Sequence, residues 1–170
     1  LKYELDRYLR SRGMERLEEM PLIRVENQQY IHYQKGGLVM YLLRDQIGEE
    51  AVNRALRRVL AQYAFKSAPY PRSLDLVNAI RAEAPADKQA LITDLFEKIT
   101  LYDVAAKSVA ATRRADGKWD VALTVEARKL YADGKGEETE APLNETFDVG
   151  LFSAEPGKGA FDQKSVMLME

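Results

Sequence analysis

The stretch LFEKITLYD, residues 95–103, marks the point where the hydrophobic period of the chain changes. Upstream of it, apolar residues recur three and four positions apart, which is typical of amphipathic helices. Downstream, in WDVALTVEA (residues 119–127), apolar and polar residues alternate with the two-residue period of a half-buried strand. The sequence therefore predicts an α+β fold: an all-α half, residues 1–98, followed by an antiparallel, sandwich-like β half, residues 99–170.

Local signals place the elements within each half. About five helices are expected in the first half, and one of them covers about Glu49 to Tyr63, with two acidic residues in its first turn. In the first helix, Leu1, Leu5, Tyr8 and Leu9 share one face, at the spacing typical of an amphipathic helix. In the second half, Asp116-Gly117 predicts a hairpin turn between two strands.

Composition excludes several classes of protein. The chain has 170 residues and a net charge of −2, with 25 Lys and Arg residues spread along its length, so it lacks the basic surface of a nucleic-acid-binding protein. It contains no cysteine, which excludes disulfides and thiolate chemistry. The longest apolar run, residues 38–43, is far shorter than the roughly 20 residues that span a bilayer.

The most specific motif is YIHYQKGG, residues 30–37, in which a Tyr-x-Lys-Gly run opens an apolar helix. This run resembles the catalytic-tyrosine segment of the gluzincin aminopeptidases, zinc-dependent enzymes that remove residues from peptide N-termini. The resemblance implies that Tyr33 is the catalytic residue that stabilises the oxyanion of the transition state, with Lys35 and Gly36 matching the rest of the motif. A neutral phenol on a stiff side chain suits that task because it donates one hydrogen bond.

The chain lacks the other parts of such an enzyme. It has a single histidine, His32, and no H-E-x-x-H, whereas a zinc site takes three or four protein ligands. The charged stretch at residues 14–19 reads as a solvated face. The resemblance therefore implies no metal site and no cofactor in this chain. It places zinc in an upstream domain of the same polypeptide, which would bind the peptide substrate together with this piece. We expect the chain by itself to be inactive.

The layout of residues 28–98 is similar to the helices that follow the catalytic tyrosine in the aminopeptidase family. Residues 95–103 and 127–137 resemble the C-terminal region of bacterial membrane proteins in which an ABC-transporter-type permease precedes an aminopeptidase-like domain. The chain begins inside a helix and without Met, as expected for a piece of a longer polypeptide. The resemblance implies a soluble domain of a bacterial membrane protein.

Two other functions are compatible with the same residues. A lone tyrosine on an amphipathic helix commonly packs at the rim of a core, and Gly36-Gly37 would serve helix packing as well as substrate approach. The chain would then be a module that binds a peptide or partner protein. Alternatively, it would be an assembly domain of a transporter-associated protein, which an exposed apolar face on the β half would favour.

Overall fold

The computed structural model describes residues 1–152 and 161–169, and it confirms the α+β class, with helices preceding an antiparallel sheet. The helices are α1 (Lys2–Met14), α2 (Gly36–Ile47), α3 (Glu49–Tyr63), α4 (Ser73–Glu83) and α5 (Gln89–Phe96), and the strands are β1 (Ile99–Arg113), β2 (Trp119–Ala132), β3 (Glu138–Ala141), β4 (Asn144–Phe152) and β5 (Phe161–Met169). Short 3₁₀ turns lie at Leu22–Arg24 and Ala86–Lys88, and a π-helical turn at Tyr30–Lys35 leads directly into α2.

The chain divides into two compact units. The helical unit contains Leu1–Thr100 and Ala132–Glu138, and the β unit contains Leu101–Tyr131 and Thr139–Glu170. The alternating sequence pattern places the turn between β2 and β3 in the β half, whereas its contacts join it to the helices. The helical unit is therefore discontinuous in sequence, and this turn contacts the backbone of Glu19, a residue described below.

The core of the helical unit lies among α2, α3, α4 and α5. Its members are apolar residues at helical spacing: Val39, Leu43, Val52, Ala55, Val77, Ala79, Ile80, Ile92, Leu95 and Phe96. The α3 helix has the predicted bounds. Gly48 separates it from α2 by adopting a φ of +85°, a conformation that glycine reaches without steric cost.

The α1 helix buries only one residue of the face that its sequence predicts. Tyr8 is 5% exposed, whereas Leu1, Leu5 and Leu9 are 62%, 47% and 50% exposed. The helix packs on the π-helical turn through Tyr8 and turns its leucines outward. An apolar surface is thereby left uncovered.

The β unit contains two sheets. The first has the order β1-β2-β3, and the second pairs β4 with β5 antiparallel, with Asn144 opposite Met169. The turn between β1 and β2 contains Gly117 at a φ of +82°, which confirms the predicted hairpin. Predicted burial of alternate residues of β2 is confirmed only for its second half. There Leu123, Val125 and Ala127 are half-buried and alternate with exposed residues, whereas Trp119 is 59% exposed.

Helix length bears on membrane insertion. The longest α-helix described is α3, which has 15 residues. Among residues 1–152 and 161–169, no helix combines the length and the apolar composition needed to cross a lipid bilayer.

Truncating a core leucine should separate buried from exposed apolar positions. Leu43 is fully buried, so Leu43→Ala should lower the free energy of unfolding by about 2–5 kcal/mol, through lost transfer energy and a cavity. The matched control is Leu60→Ala on α3, whose side chain is 62% exposed and whose loss should change stability by less than about 0.5 kcal/mol. Urea unfolding measures both, and equal losses would contradict the assigned core.

Candidate functional site

Tyr33 lies on the π-helical turn that precedes α2. The Gly36 N–H donates to the carbonyl oxygens of Ile31, five residues earlier, and Tyr33. Because π-type bonding brings residues five apart into successive turns, Tyr30 and Lys35 share the inner face of this turn. Each of them is 7% exposed, whereas the Tyr33 side chain points outward and is 67% exposed.

A cavity of about 400 Å³ lies beside Tyr33 in the helical unit. It is lined by side chains of α1, of the segment before the π turn and of the turn itself: Arg7, Ser11, Met14, Glu15, Asn27, Gln28, Gln29, Tyr30, Tyr33 and Gln34. Most of these groups are polar and uncharged, so the cavity offers hydrogen bonds rather than an apolar surface.

A buried carboxylate lies behind this turn. Glu19 is 5% exposed; its Oε1 accepts a hydrogen bond from the Tyr8 hydroxyl at 2.7 Å and its Oε2 accepts one from Arg12 Nε at 2.7 Å. The Lys35 Nζ lies 3.9 Å from Glu19 Oε1. Glu19 therefore contradicts the prediction that residues 14–19 form a solvated face, although Glu15 and Glu18 are exposed as predicted.

The Glu19 carboxylate favours the charged form of Lys35. Its Nζ is buried and has no hydrogen-bond partner within the described residues, and burial lowers its pKa below the ordinary value for lysine because the charged form loses its hydration. The nearby Glu19 carboxylate opposes that shift, and the Tyr8 ring lies 5.6 Å from Nζ. At about 4 Å and an effective dielectric constant of 20, the gross ion-pair attraction is about 4 kcal/mol, before the cost of desolvating both charges.

Two stacked tyrosines fill the space between α1 and the π turn. The rings of Tyr8 and Tyr30 are 6.0 Å apart between centroids, at an interplanar angle of 26°. Burial raises the pKa of Tyr8, and the hydrogen bond to Glu19 raises it further. Burial, together with the charge of Glu19, raises the pKa of Tyr30 to about 12. Both phenols therefore stay protonated in the folded chain well above the ordinary range of tyrosine.

The turn between β2 and β3 holds Glu19 from the opposite side. The Glu19 N–H donates to the Gly134 carbonyl oxygen at 2.9 Å, and Arg12 Nη2 donates to Glu138 Oε1 at 3.1 Å. Gly134 has a φ of +85°, and a Cβ at this position would lie 2.3 Å from the Glu19 carbonyl oxygen. Only glycine allows this approach, so the turn and the carboxylate segment are fitted to each other.

A side-chain amide completes the support of this segment. Gln28 Oε1 accepts a hydrogen bond from the Met20 N–H at 3.2 Å, and Gln28 Nε2 donates to the Glu18 carbonyl oxygen at 3.0 Å. The backbone on both sides of Glu19 is therefore tied to the residues that lead into the π turn. A buried charge fixed in this way has little freedom to move.

The glycines of the motif are not required by close packing within the described chain. A Cβ at Gly36 would make ordinary contacts at 3.6 Å with the Ile31 carbonyl oxygen and Leu22 Cδ1, and a Cβ at Gly37 would meet none of the described atoms within 4 Å. Gly37 is exposed, on an open side of α2. The helix-packing interpretation of this pair therefore has no support from contacts inside the described residues.

Metal ligands are not assembled in the described residues, where no group of three or more His, Cys, Asp and Glu side chains could hold an ion. His32 is exposed, and its ring lies 4.6 Å from the Tyr33 ring between centroids. These residues do not fit a zinc site. The arrangement instead offers a hydrogen-bond donor, Tyr33, at the edge of a polar cavity.

No protein-family model, curated protein or solved structure shows a significant match to this chain. The proposed function therefore rests on the residues of the site and their geometry. Glu19, Arg12 and Gly134 were not predicted to belong to the site. The sequence signal for Glu19 is that the apolar residues Met20 and Leu22 follow it almost at once, which indicates that the chain turns inward there.

Substitutions at two glycines with nearly equal φ can distinguish the effect of backbone strain on stability from the effect of steric overlap. Gly134 and Gly117 have φ of +85° and +82°, but a Cβ at Gly117 would meet none of the described atoms within 4 Å. Gly134→Ala should therefore cost at least about 2 kcal/mol more free energy of unfolding than Gly117→Ala, because it adds displacement of the Glu19 backbone to a similar φ penalty. Thermal and urea unfolding measure the difference, and equal destabilisation would contradict the contact.

The buried phenols predict how stability depends on alkaline pH. The folded chain retains the Tyr30 proton between the ordinary pKa of 10.0 and about 12, so the free energy of unfolding should fall as pH rises through this window. The pKa of Lys35 is lowered in the folded chain, so the titration of Lys35 raises the free energy of unfolding as pH rises. This opposing effect ends near pH 10.5, the ordinary pKa of lysine. Tyr30→Phe should flatten the alkaline decline without lowering stability at pH 7, since its hydroxyl has no hydrogen-bond partner in the described part of the chain.

Urea unfolding at a series of pH values between 7 and about 12 measures this decline. The matched control is Tyr70→Phe, because Tyr70 is 73% exposed. Its pH profile should coincide with that of the unsubstituted chain. An unchanged profile for Tyr30→Phe would show that Tyr30 ionises as freely in the folded chain as in the unfolded one.

Proposed function

We propose that the chain is the downstream part of a zinc-dependent aminopeptidase and that Tyr33 is its oxyanion-stabilising residue. The observation that carries the proposal is the position of Tyr33. Its side chain is 67% exposed at the edge of a polar cavity, while its neighbours Tyr30 and Lys35 anchor the turn in the interior. The resemblance of residues 33–36 to the catalytic-tyrosine motif supplies the reaction class.

The chemical contribution of Tyr33 is one directed hydrogen bond. Attack on a peptide carbonyl places negative charge on its oxygen, and a donor aimed at that oxygen stabilises the transition state more than the ground state. The Tyr33 phenol can be so directed, because the backbone that carries it is fixed on its inner face by buried side chains. Its ring stacks only at an angle, 55°, on exposed His32.

The metal, the general base and the group that binds the free amine belong, in this proposal, to an upstream domain of the same polypeptide. The exposed apolar face of α1 supports a neighbouring domain at this place. Leu1, Leu5 and Leu9 form a continuous face at helical spacing, and Tyr3 and Met14, on the same helix, are 65% and 75% exposed. A face of this kind is costly to leave in water and is typical of an interface.

The proposed parent is a bacterial membrane protein in which an ABC-transporter-type permease precedes the peptidase. The support for this part is the resemblance of residues 95–103 and 127–137, which lead into β1 and out of β2. In this arrangement the present chain is a domain outside the bilayer. Peptide is the proposed substrate of the assembled protein.

A second candidate function is a non-catalytic domain that binds a partner or assembles a transporter complex. The observation that favours it is the exposure of apolar side chains on the β unit, where Val104, Val109 and Trp119 are 51%, 64% and 59% exposed. Such side chains on long strands are typical of surfaces that another chain segment covers. This function needs no donor at Tyr33, so the two candidates differ in what a change at that residue does.

The decisive test uses the full-length polypeptide. Tyr33→Phe removes one hydroxyl and should lower kcat for aminoacyl-amide hydrolysis by about 10²-fold or more, with zinc content unchanged. The matched control is Tyr70→Phe, at a 73% exposed tyrosine that does not line the cavity, and it should keep the full rate. A full-length protein that binds no zinc and hydrolyses nothing would overturn the peptidase proposal in favour of the binding or assembly domain.

The isolated chain provides a separate check. With one oxyanion donor and no group of metal ligands among residues 1–152 and 161–169, the isolated chain should hydrolyse aminoacyl amides no faster than buffer, with or without added zinc. A zinc-dependent rate that Tyr33→Phe abolishes would show that the ligands lie within this chain, against the proposed division of the site.

A further inference from the structure

We propose that Glu19 and Lys35 are positioning residues, and that their buried pair holds residues 30–35 in the π-helical register that turns Tyr33 towards the cavity. The catalytic consequence rests on the proposed function of Tyr33. The conformational consequence stands independently, because it concerns only which carbonyl the Gly36 N–H meets.

The π-helical register allows Tyr30 and Lys35 to be buried on the same face of the turn. Tyr30 and Lys35 are five residues apart, and the Gly36 N–H reaches the Ile31 carbonyl oxygen, also five residues away. In an α-helix the same N–H would bond to the residue four positions back, and the inner face would repeat at three and four residues. Tyr30 and Lys35 would then no longer occupy one face, and one of them would leave the interior.

Glu19 is rigid enough to impose this register. Its two oxygens are occupied by Tyr8 and Arg12, and its N–H is bonded to Gly134 at 2.9 Å. The Lys35 Nζ, by contrast, has no hydrogen-bond partner in the described chain and lies 3.9 Å from Glu19 Oε1. Both side chains are buried and 3.9 Å apart, and the attraction between their charges favours this position of the Lys35 ammonium group.

The position of Lys35 in turn fixes the direction of Tyr33. The two residues are separated by Gln34 on one turn of helix, and Lys35 is buried while Tyr33 is 67% exposed. Their side chains therefore leave the helix on different sides. A change of register at Lys35 rotates the backbone at Tyr33 and redirects its hydroxyl. Short π turns of this kind occur frequently at functional sites.

Through-hydrogen-bond scalar couplings, measured by NMR on the full 170-residue chain, test the register directly. The unsubstituted chain should show a coupling between the Gly36 nitrogen and the Ile31 carbonyl carbon. Lys35→Met keeps an unbranched side chain of similar length and removes the charge. It should replace that coupling by one to the His32 carbonyl carbon, which marks an α-helical bond. The matched control is Lys2→Met, at an exposed lysine of α1, which should leave the Ile31 coupling unchanged.

Glu19→Gln provides the reciprocal test. Glutamine keeps the shape of the side chain and an acceptor for Tyr8, but it offers no charge to Lys35. It should weaken the Ile31 coupling in the same direction as Lys35→Met. A folded Lys35→Met chain that retains the Ile31 coupling would overturn the proposal. Failure of both variants to fold would also overturn it, because the pair would then support the whole helical unit rather than the register of one turn.

The catalytic consequence is measured in the full-length polypeptide. Lys35→Met should lower kcat for aminoacyl-amide hydrolysis by about tenfold or more while KM and zinc content stay unchanged, since the donor is misdirected and binding is not. A changed register with an unchanged kcat would overturn the positioning role. If the full-length polypeptide is inactive altogether, the peptidase proposal fails, and the NMR result still decides whether the pair sets the register.

Discussion

The side of the helical unit that carries Tyr33 is organised around one buried carboxylate. Glu19 meets α1 through Tyr8 and Arg12, the π-helical turn through Lys35, and the turn between β2 and β3 through the Gly134 backbone. Removing one member of a buried charged pair typically costs about 3–5 kcal/mol, because the other charge is left without compensation. The Glu19 side chain therefore joins α1 to the π-helical turn, and its backbone N–H joins both to the turn between β2 and β3.

This constraint explains why a rigid donor and an open surface occur side by side. On the inner face of the π turn, buried Tyr30 and Lys35 fix the backbone, and on its outer face Tyr33 is left to water and to the cavity. Beside them, α1 uses Tyr8 to reach the interior and turns its leucines outward. The helical unit thus has a fully packed core in α2 to α5 and an uncovered side where the candidate site lies.

Sequence periodicity predicted the positions of helices and strands better than it predicted which of their faces are buried. The α3 helix and the hairpin at Asp116-Gly117 follow from local rules of capping, period and turn chemistry, and both are confirmed. The solvated face assigned to residues 14–19 was wrong at Glu19, because its burial depends on a turn more than a hundred residues away. Of the α1 face that the periodicity predicts, Tyr8 is buried and the three leucines are exposed. A pattern specifies a face, but the rest of the chain decides whether anything covers it.

The sequence by itself determined the α+β class, the change of period near residue 99 and the motif that singles out Tyr33. These features are local, since each depends on residues within a few turns of one another. Only the tertiary structure decided that the β2–β3 turn belongs to the helical unit, that Lys35 is buried against Glu19, and that the turn carrying Tyr33 is π-helical. The physical reason is that burying a charge is favourable only beside its partner, and that partner is brought near by the fold rather than by the order of residues.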